Sequence, residues 1–89
     1  MASRDVTICN PLGLHARAAA RFVHLAARFA SRITVARAGR QVDGKSILGV
    51  LLLAAASGTT ITIVAEGDDA AAALDELSAL VSSGFGELS

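Results

Sequence analysis

Residues 59–65 read Thr-Thr-Ile-Thr-Ile-Val-Ala and form the clearest strand pattern of the chain. Because successive side chains of a strand point to opposite faces, Ile61, Ile63 and Ala65 share one face and the threonines lie mostly on the other. A strand with one apolar and one polar face belongs to a sheet that has one face in solvent. Helices must then cover the apolar face, which predicts a two-layer α+β sandwich.

The same kinds of pattern, followed outward from this strand, predict three more strands and three helices. Segments that alternate apolar and polar residues indicate strands, whereas apolar residues three and four apart indicate helices. Ser46 is suited to cap the second helix, and Asp68 and Asp69 suit the positive end of the third. The predicted elements are strand 5–9, helix 16–30, strand 32–37, a short strand around Gln41–Val42, helix 46–56, strand 59–65 and a helix from Asp68 to about Gly84, in the order βαββαβα.

The composition limits the class of protein. With 89 residues, 53% of them hydrophobic, and a net charge of zero, the chain is predicted to form a single ordered domain over residues 1–89. Cys9 is the only cysteine, so no internal disulfide can form, and its strand predicts a buried or half-buried thiol. The longest apolar run, residues 47–56, is about half of the roughly 20 residues that a membrane span needs. Since the N-terminus also lacks a signal-peptide pattern, we expect a cytoplasmic protein without membrane insertion.

The charges are divided unevenly along the chain. Residues 1–45 carry a net charge of +6 and residues 46–89 one of −6. Four residues of the first half, here called the basic stripe, follow at helical spacing on one face: Arg17, Arg21, His24 and Arg28. Such a face is usually only a solvated surface, but no acid within residues 6–42 neutralises it. The stripe therefore favours docking of an acidic protein partner.

The segment from Asn10 to Arg17, Asn-Pro-Leu-Gly-Leu-His-Ala-Arg, contains the candidate chemistry. His15 falls where a loop joins the first helix, and the unpaired N–H groups of a helix N-terminus bind anions such as phosphate. We predict that phosphate is held by the backbone of Ala16 and Arg17 and by the Arg17 guanidinium, while Gly13 allows a close approach of the loop. The helix dipole disfavours a cationic ring, which makes His15 a neutral nucleophile. The competing interpretation is a surface histidine that caps the helix, although histidine is a mediocre cap.

The second predicted helix has no polar face. One side can pack on the sheet through Val50, Leu53 and Ala54. Ile47, Leu48 and Leu51 are then left at risk of exposure, and either neighbouring helices cover them or they form an interaction site. The two histidines and one cysteine have no metal-ligand spacing, so we expect neither a metal nor another cofactor.

The motif of residues 10–17 and a second motif at residues 43–50, Asp-Gly-Lys-Ser-Ile-Leu-Gly-Val, together resemble the histidine-containing phosphocarrier protein (HPr) family of the bacterial sugar phosphotransferase system. The resemblance covers nearly the whole chain in length, element order and the spacing from His15 to Ser46. It implies an antiparallel four-stranded sheet in the order 1-4-2-3 with three helices on one face. Residues 82–86, Ser-Ser-Gly-Phe-Gly, are similar to the nitrogen-related branch of the family.

The resemblance also implies roles for particular residues. His15 would accept on Nδ1 a phosphoryl group that enzyme I takes from phosphoenolpyruvate, Arg17 would stabilise it, and IIA-type acceptor proteins would receive it. Ser46 matches the serine that a dedicated ATP-dependent HPr kinase/phosphorylase modifies in some members. The predicted partner-binding residues are Ile47, Leu48 and Leu51, which match family docking positions, with Arg21 and His24 of the basic stripe. We expect a monomeric carrier that turns over no substrate of its own.

One position departs from the family pattern. Ala18 stands where most members have a proline directly after the arginine. Proline fixes φ near −65° in the first turn of a helix, whereas alanine propagates a helix well. We therefore expect the helix to persist with a less rigid first turn around His15, at a cost of about 1 kcal/mol or less.

Two functions of other classes fit parts of the sequence. A regulatory module could use only Ser46 to bind a transcription factor, but relatives of that kind lack the active histidine, and His15 with Arg17 argues against it. A nucleic-acid binder could use the basic stripe. The zero net charge and the aromatic content of 3% argue against broad phosphate contact or base stacking.

Overall fold

The computed structural model describes residues 2–87, which form four strands, three α-helices and one 3-10 turn. The strands are β1 (Ala2–Thr7), β2 (Arg32–Arg37), β3 (Arg40–Asp43) and β4 (Thr60–Glu66). The helices are α1 (Ala16–Ala26), α2 (Ile47–Leu52) and α3 (Ala70–Ser82), and a C-terminal turn covers Gly84–Gly86. The order of strands and helices is the predicted βαββαβα.

β4 lies between two neighbours in an antiparallel sheet of order β1-β4-β2-β3. Val6 of β1 pairs with Ile61, and Val35 of β2 pairs with Ile63. This register places apolar side chains of three adjacent strands on one face, because paired residues point to the same side of a sheet. The sheet order implied by the family resemblance is confirmed.

The opposite face of the sheet is polar and open. The hydroxyls of Thr7 and Thr60 lie 3.2 Å apart, and the hydroxyl of Thr62 donates to the Asp5 carboxylate at 2.7 Å. These cross-strand pairs satisfy side chains that solvent also reaches, which fits a sheet with one solvated face.

The core fills the space between the apolar sheet face and the helices. Its largest fully buried side chains are Phe22, Phe85, Ile8, Ile33, Ile61, Ile63 and Leu77. Burial of one such side chain contributes about 1.5–3 kcal/mol to folding. Ala18 is also fully buried, and α1 forms around it without the proline of the family pattern.

α1 ends at Ala26, earlier than the predicted end at residue 30. The carboxylate of Asp69 accepts the backbone N–H of Ala30 at 2.8 Å and that of Ser31 at 2.9 Å, and also the Ser31 hydroxyl. These bonds join the turn after α1 to the start of α3, and a continued helix would forgo them. Asp69, predicted to suit the dipole of α3, serves chiefly to hold this turn.

α2 is shorter than the predicted 46–56 and comprises six residues. Its N-cap is as predicted, since the Ser46 hydroxyl accepts the N–H of Gly49 at 3.1 Å. At its other end, Arg37 donates to the carbonyl oxygen of Leu53 at 2.7 Å and Arg40 donates to that of Leu52 at 2.8 Å. Guanidinium groups from the β2–β3 hairpin thus satisfy carbonyls that a helix end leaves unpaired.

The predicted first strand, 5–9, is displaced toward the N-terminus, and the prediction for Cys9 was wrong. β1 ends at Thr7, and Cys9 is exposed with its Sγ 3.4 Å from the carbonyl oxygens of Val81 and Ser82. Cys9 falls on the same side of the chain as the exposed Thr7, whereas Val6 and Ile8 are buried on the opposite side, so the alternation itself places the thiol in solvent. None of the helices within residues 2–87 is long and apolar enough to cross a membrane.

The contacts of Asp69 make folding stability depend on pH. Hydrogen bonds from the Ser31 hydroxyl and the Ala30 N–H hold the pKa of Asp69 below its ordinary value, against a smaller opposing effect of burial. A carboxyl whose pKa is lowered on folding stabilises the protein above its unfolded-state pKa, about 3.9. That contribution is lost as the pH falls through the lower folded-state pKa.

We therefore predict that Asp69→Asn lowers the urea midpoint of unfolding at neutral pH, and that the gap to the wild type closes as the pH falls below about 3.9. Asp68→Asn is the matched control, since Asp68 is adjacent and exposed and should change the midpoint little. A difference in urea midpoint that is equally large at neutral and acid pH would contradict a stabilising role of the ionised Asp69 carboxylate.

Candidate functional site

The loop from Asn10 to Leu14 is held tightly against the rest of the chain. The buried Asn10 side chain donates from Nδ2 to the Gly13 carbonyl oxygen at 2.8 Å, and the Leu14 N–H donates to that of Ala55 at 2.9 Å. Gly13 has a φ of +66°, and a Cβ there would lie 2.6 Å from the Ala55 oxygen. Only glycine fits this position. The close approach predicted for Gly13 is thus made to the segment after α2.

His15 is the residue directly before α1, as the sequence predicted. Its backbone is extended, with φ −82° and ψ 179°, and its side chain makes no capping hydrogen bond. The first helical N–H to bond back is that of Ala19, which donates to the His15 carbonyl oxygen at 2.8 Å. The N–H groups of Ala16 and Arg17 precede it and have no acceptor within the helix. Since the ring caps nothing, the interpretation of His15 as a simple helix cap is not supported.

The imidazole ring contacts the C-terminal segment of the chain. Its Nε2 lies 2.6 Å from Oε2 of Glu87, and the two side chains are 28% and 16% exposed. The other carboxylate oxygen, Oε1, accepts a hydrogen bond from Nδ2 of Asn10 at 2.9 Å. Asn10 therefore links the loop that carries His15 to the carboxylate that touches its ring.

The C-terminal turn brings Glu87 to this position. Phe85 is fully buried and has a φ of +60°, and its carbonyl oxygen accepts a hydrogen bond from the Arg21 guanidinium. Gly84 and Gly86 also have positive φ values, +70° and +76°, which glycine adopts without a Cβ penalty. The buried Phe85 ring anchors the turn, and the reversal of the chain directs Glu87 toward α1.

Glu87 is ionised at neutral pH. The hydrogen bond from Asn10 is the main cause that lowers its pKa, and the contact with His15 and the charge of Arg21 act in the same direction. Burial acts in the opposite direction and does not prevail. A carboxylate, which can only accept hydrogen bonds, therefore faces the ring nitrogen.

These side chains surround an open cleft of about 760 Å³. Its lining consists of Pro11, Leu12, His15, Ala16, Arg17, Arg21, Gly86 and Glu87. Arg17 is exposed and lines the same cleft as His15, so the residue predicted to stabilise phosphate belongs to the His15 site. A second depression of about 850 Å³, between Ser31 and the β2–β3 hairpin, contains none of the predicted site residues. Within residues 2–87 no group of His, Cys, Asp and Glu side chains is placed to hold a metal ion.

Not all of the basic stripe lies on α1. His24 is exposed in the last turn of the helix, but Arg28 lies beyond its end at Ala26. The guanidinium of Arg21 is bonded to the Phe85 carbonyl oxygen, so it also has a structural role. The stripe that sequence spacing predicted is therefore shorter than four residues.

The second helix does expose an apolar surface, although not the predicted one in full. Leu48 is 75% exposed and Ile47 38%, whereas Leu51 is half-buried against the core. Two further apolar side chains are exposed, Leu52 at 62% and Leu12 at 73%. We call Leu12, Ile47, Leu48 and Leu52 the exposed apolar set. α1 and α2 pack against each other, and Leu12 lines the same cleft as His15, so the exposed apolar set lies on the helical side of the molecule.

Sequence reasoning missed two residues of the site, Asn10 and Glu87. Asn10 stood in the quoted motif, where asparagine before proline indicates a turn and gives no sign of a buried amide. Glu87 is 72 positions from His15, and no local pattern reports a contact over that separation. The Gly-Phe-Gly segment was the available signal, because two glycines around an aromatic residue allow an anchored reversal of the chain.

Comparison with known proteins agrees with this geometry. The family model described as "PTS HPr component phosphorylation site" matches residues 2–83. The chain is 52% identical to phosphocarrier protein HPr of Cupriavidus necator, over 98% of each chain. It is 48% identical to phosphocarrier protein NPr of Shewanella violacea, over 97% of this chain and 94% of that one.

A solved structure is also closely similar. The crystal structure of HPr-C-His from Thermoanaerobacter tengcongensis superposes with a TM-score of 0.96 at 40% identity, and the match covers 100% of both chains. Fold, full-length sequence similarity and the phosphorylation-site motif all lead to one assignment. The chain belongs to the HPr family, the phosphocarriers of the phosphotransferase system.

Proposed function

We propose that His15 is the residue that carries the phosphoryl group, received from phosphorylated enzyme I and passed to IIA-type acceptor proteins. The observation that supports this most is the place of His15: its ring stands at the N-terminus of α1 in an open cleft beside Arg17. An open cleft suits a carrier, because two partner proteins must reach the same nitrogen in turn. The proposed location is the cytoplasm, and the proposed working form is a monomer that needs no cofactor and turns over no substrate of its own.

The groups around His15 can stabilise the transferred phosphoryl group. The N–H groups of Ala16 and Arg17 and the positive end of α1 attract its oxygens, and the Arg17 guanidinium can pair with them. Glu87 is the only acidic side chain that lines the cleft in the described part of the chain. It lies on the Nε2 side of the ring, so its charge does not occupy the Nδ1 side.

Docking of both partners is assigned to the exposed apolar set with the cationic residues of α1. The predicted partner-binding residues Arg21, His24, Ile47, Leu48 and Leu51 remain in this proposal, with Leu51 contributing from a half-buried position. Scattered exposed apolar residues are common, but Ile47, Leu48 and Leu52 on one six-residue helix form a contiguous patch of the kind that marks interaction sites. Arginines beside such a patch steer an acidic partner.

Ser46 is proposed as a regulatory position modified by a serine-directed kinase/phosphorylase. Its hydroxyl now caps α2, and Ile47 and Leu48 follow it directly. A phosphate there adds about −1.5 to −2 charges next to the apolar surface. An acidic partner would then meet like charge and a hydrated dianion at the edge of its docking site.

The alternative is a regulatory module that works through Ser46 alone and binds a transcription factor. It requires no reactive histidine, so it leaves the arrangement of His15, Arg17 and the helix N-terminus without a purpose. Phosphoryl transfer separates the two functions directly.

We predict that phosphoenolpyruvate and enzyme I place one phosphoryl group on this protein, in a bond that is labile in acid and stable in alkali. His15→Ala should abolish the labelling because it removes the accepting nitrogen. His24→Ala is the matched control: it removes the other histidine and, as a docking residue, should at most slow the labelling without abolishing it. Labelling of His15→Ala at the wild-type level would refute the central proposal.

We predict that Leu48→Asp weakens binding to enzyme I while the fold persists, because a side chain 75% exposed contributes little to the core. The expected loss of unfolding free energy is well below the roughly 3 kcal/mol of a core truncation. Ala72→Asp adds the same charge on the exposed side of α3 and should leave binding unchanged. Chemical denaturation and a binding titration give the two quantities, and unaltered affinity of Leu48→Asp would remove Leu48 from the interface.

We predict that Ser46→Asp slows phosphorylation of His15 by enzyme I through weaker binding, and that the gap to the wild type narrows as salt screens the charge. Ser3→Asp, on exposed β1, is the charge control. Ser46→Ala should instead cost about 1 kcal/mol of stability through loss of the cap and leave the transfer rate almost unchanged. Equal rates of Ser46→Asp and wild type at low salt would limit Ser46 to its capping role.

A further inference from the structure

We infer that Glu87 is a positioning residue for phosphoryl transfer: it holds the proton of His15 on Nε2 and so leaves Nδ1 as the nitrogen that accepts the phosphoryl group. The inference rests on the proposed function of His15. It assigns to the C-terminal segment a part in the chemistry that neither the fold nor the docking surface requires.

The first step concerns the two nitrogens of the ring. A neutral imidazole carries its proton on one nitrogen and a lone pair on the other, and a hydrogen-bond partner selects between the two forms. Nε2 lies 2.6 Å from Oε2 of Glu87. An ionised carboxylate only accepts, so this contact is a hydrogen bond only when Nε2 carries the proton. Nδ1 then holds the lone pair.

The second step concerns the rigidity of the carboxylate. Its Oε1 accepts from Nδ2 of Asn10 at 2.9 Å, and the same Nδ2 donates to the Gly13 carbonyl oxygen at 2.8 Å. Oδ1 of Asn10 is buried and finds no partner among the described residues. The amide thus forgoes one hydrogen bond while its donor group faces Glu87 and Gly13. Flipping the amide would break both bonds, so the orientation of the carboxylate is determined from the loop side.

The third step concerns the place of Glu87 itself. The buried Phe85 ring and the bond from Arg21 to the Phe85 carbonyl oxygen hold the turn that precedes it. Among the described residues, the charged side chains that line the cleft around the ring are Glu87 from the C-terminal segment and Arg17 and Arg21 from α1. The two arginines favour an anion in the cleft, and the carboxylate lies where it meets Nε2 and not the incoming phosphoryl group.

The transfer step balances with this arrangement. The Nδ1 lone pair attacks the phosphorus of a phosphohistidine on the donor protein, the Nδ1–P bond forms, and the donor N–P bond breaks with its electron pair left on the donor nitrogen. The donor ring enters with its other nitrogen protonated and leaves as neutral imidazole. The Nε2 proton of His15 stays in the bond to Glu87, so the phosphorylated ring is a cation beside an anion. A cationic ring is the better leaving group for the next transfer.

The discriminating variant is Glu87→Gln. A glutamine side chain has one acceptor oxygen, and Nδ2 of Asn10, which only donates, would take it. The glutamine NH₂ group would then face Nε2, and a donor there favours the form with the proton on Nδ1. Glu87→Ala removes the hydrogen-bond partner that selects between the two neutral forms of the His15 ring, so both forms coexist. We therefore expect the rate of transfer from enzyme I to be highest in the wild type, lower in Glu87→Ala and lowest in Glu87→Gln. The rate should fall by about 10- to 100-fold from the wild type to Glu87→Gln, the range found when the partner that orients a metal-bound histidine is removed.

Two measurements accompany the rates. ¹⁵N NMR of the His15 ring should show the proton on Nε2 in the wild type and a shift toward Nδ1 in Glu87→Gln, and binding to enzyme I should change little. Glu76→Gln, an exposed glutamate of α3, controls for the lost charge. If Glu87 had only a structural or only a charge-related role, Glu87→Gln would accept the phosphoryl group at least as fast as Glu87→Ala. That result would overturn the inference, and so would a His15 tautomer that is unchanged in Glu87→Gln. The proposed function fails separately, if His15→Ala is still phosphorylated.

Discussion

The one-sided burial of β4 is the constraint on which the rest of the molecule depends. Ile61, Ile63 and Ala65 are fully buried on one face, and β4 is bonded to β1 and β2 on its two edges. All three helices must then lie on that face, since the other face carries paired threonines in contact with water. The loop before α1 and the turn after α3 consequently meet on the helical side of the sheet, where His15 and Glu87 make contact.

The site is held in conformations that cost free energy locally. Phe85 has a positive φ and Oδ1 of Asn10 is buried without a partner among the described residues, and each such feature costs on the order of 1–3 kcal/mol. They persist because surrounding packing determines them: the Phe85 ring is fully buried, and the Asn10 amide bonds in two directions with its other end. Strain of this kind concentrates where geometry matters for function. At this site it places a carboxylate against one nitrogen of the ring.

The fold also redistributes the charge asymmetry of the chain. Arg4 of the basic half pairs with Asp75 of the acidic half at 2.9 Å, and Glu87 meets His15. Asp69 is engaged by the turn after α1. Of the cationic residues of α1, Arg17 and Arg21 line the His15 cleft together with Leu12 of the exposed apolar set. A partner that is acidic and apolar at once would fit this surface.

Local pattern was sufficient for much of the structure. The alternation in β4, the cap at Ser46 and the place of His15 before a helix were predicted because each depends on neighbours within four residues in sequence. The strand order followed from the family resemblance and not from alternation, which says which face is buried but not which strand is adjacent.

Other features depend on residues distant in sequence, and only the tertiary structure decided them. α1 stops at Ala26 because Asp69 takes the N–H groups of the following turn, and no pattern within residues 16–30 contains that information. The sequence by itself determined that a histidine stands at a helix N-terminus beside an arginine. Which ring nitrogen faces a carboxylate was decided by a chain reversal around Phe85, because hydrogen bonds between segments 72 positions apart exist only after folding.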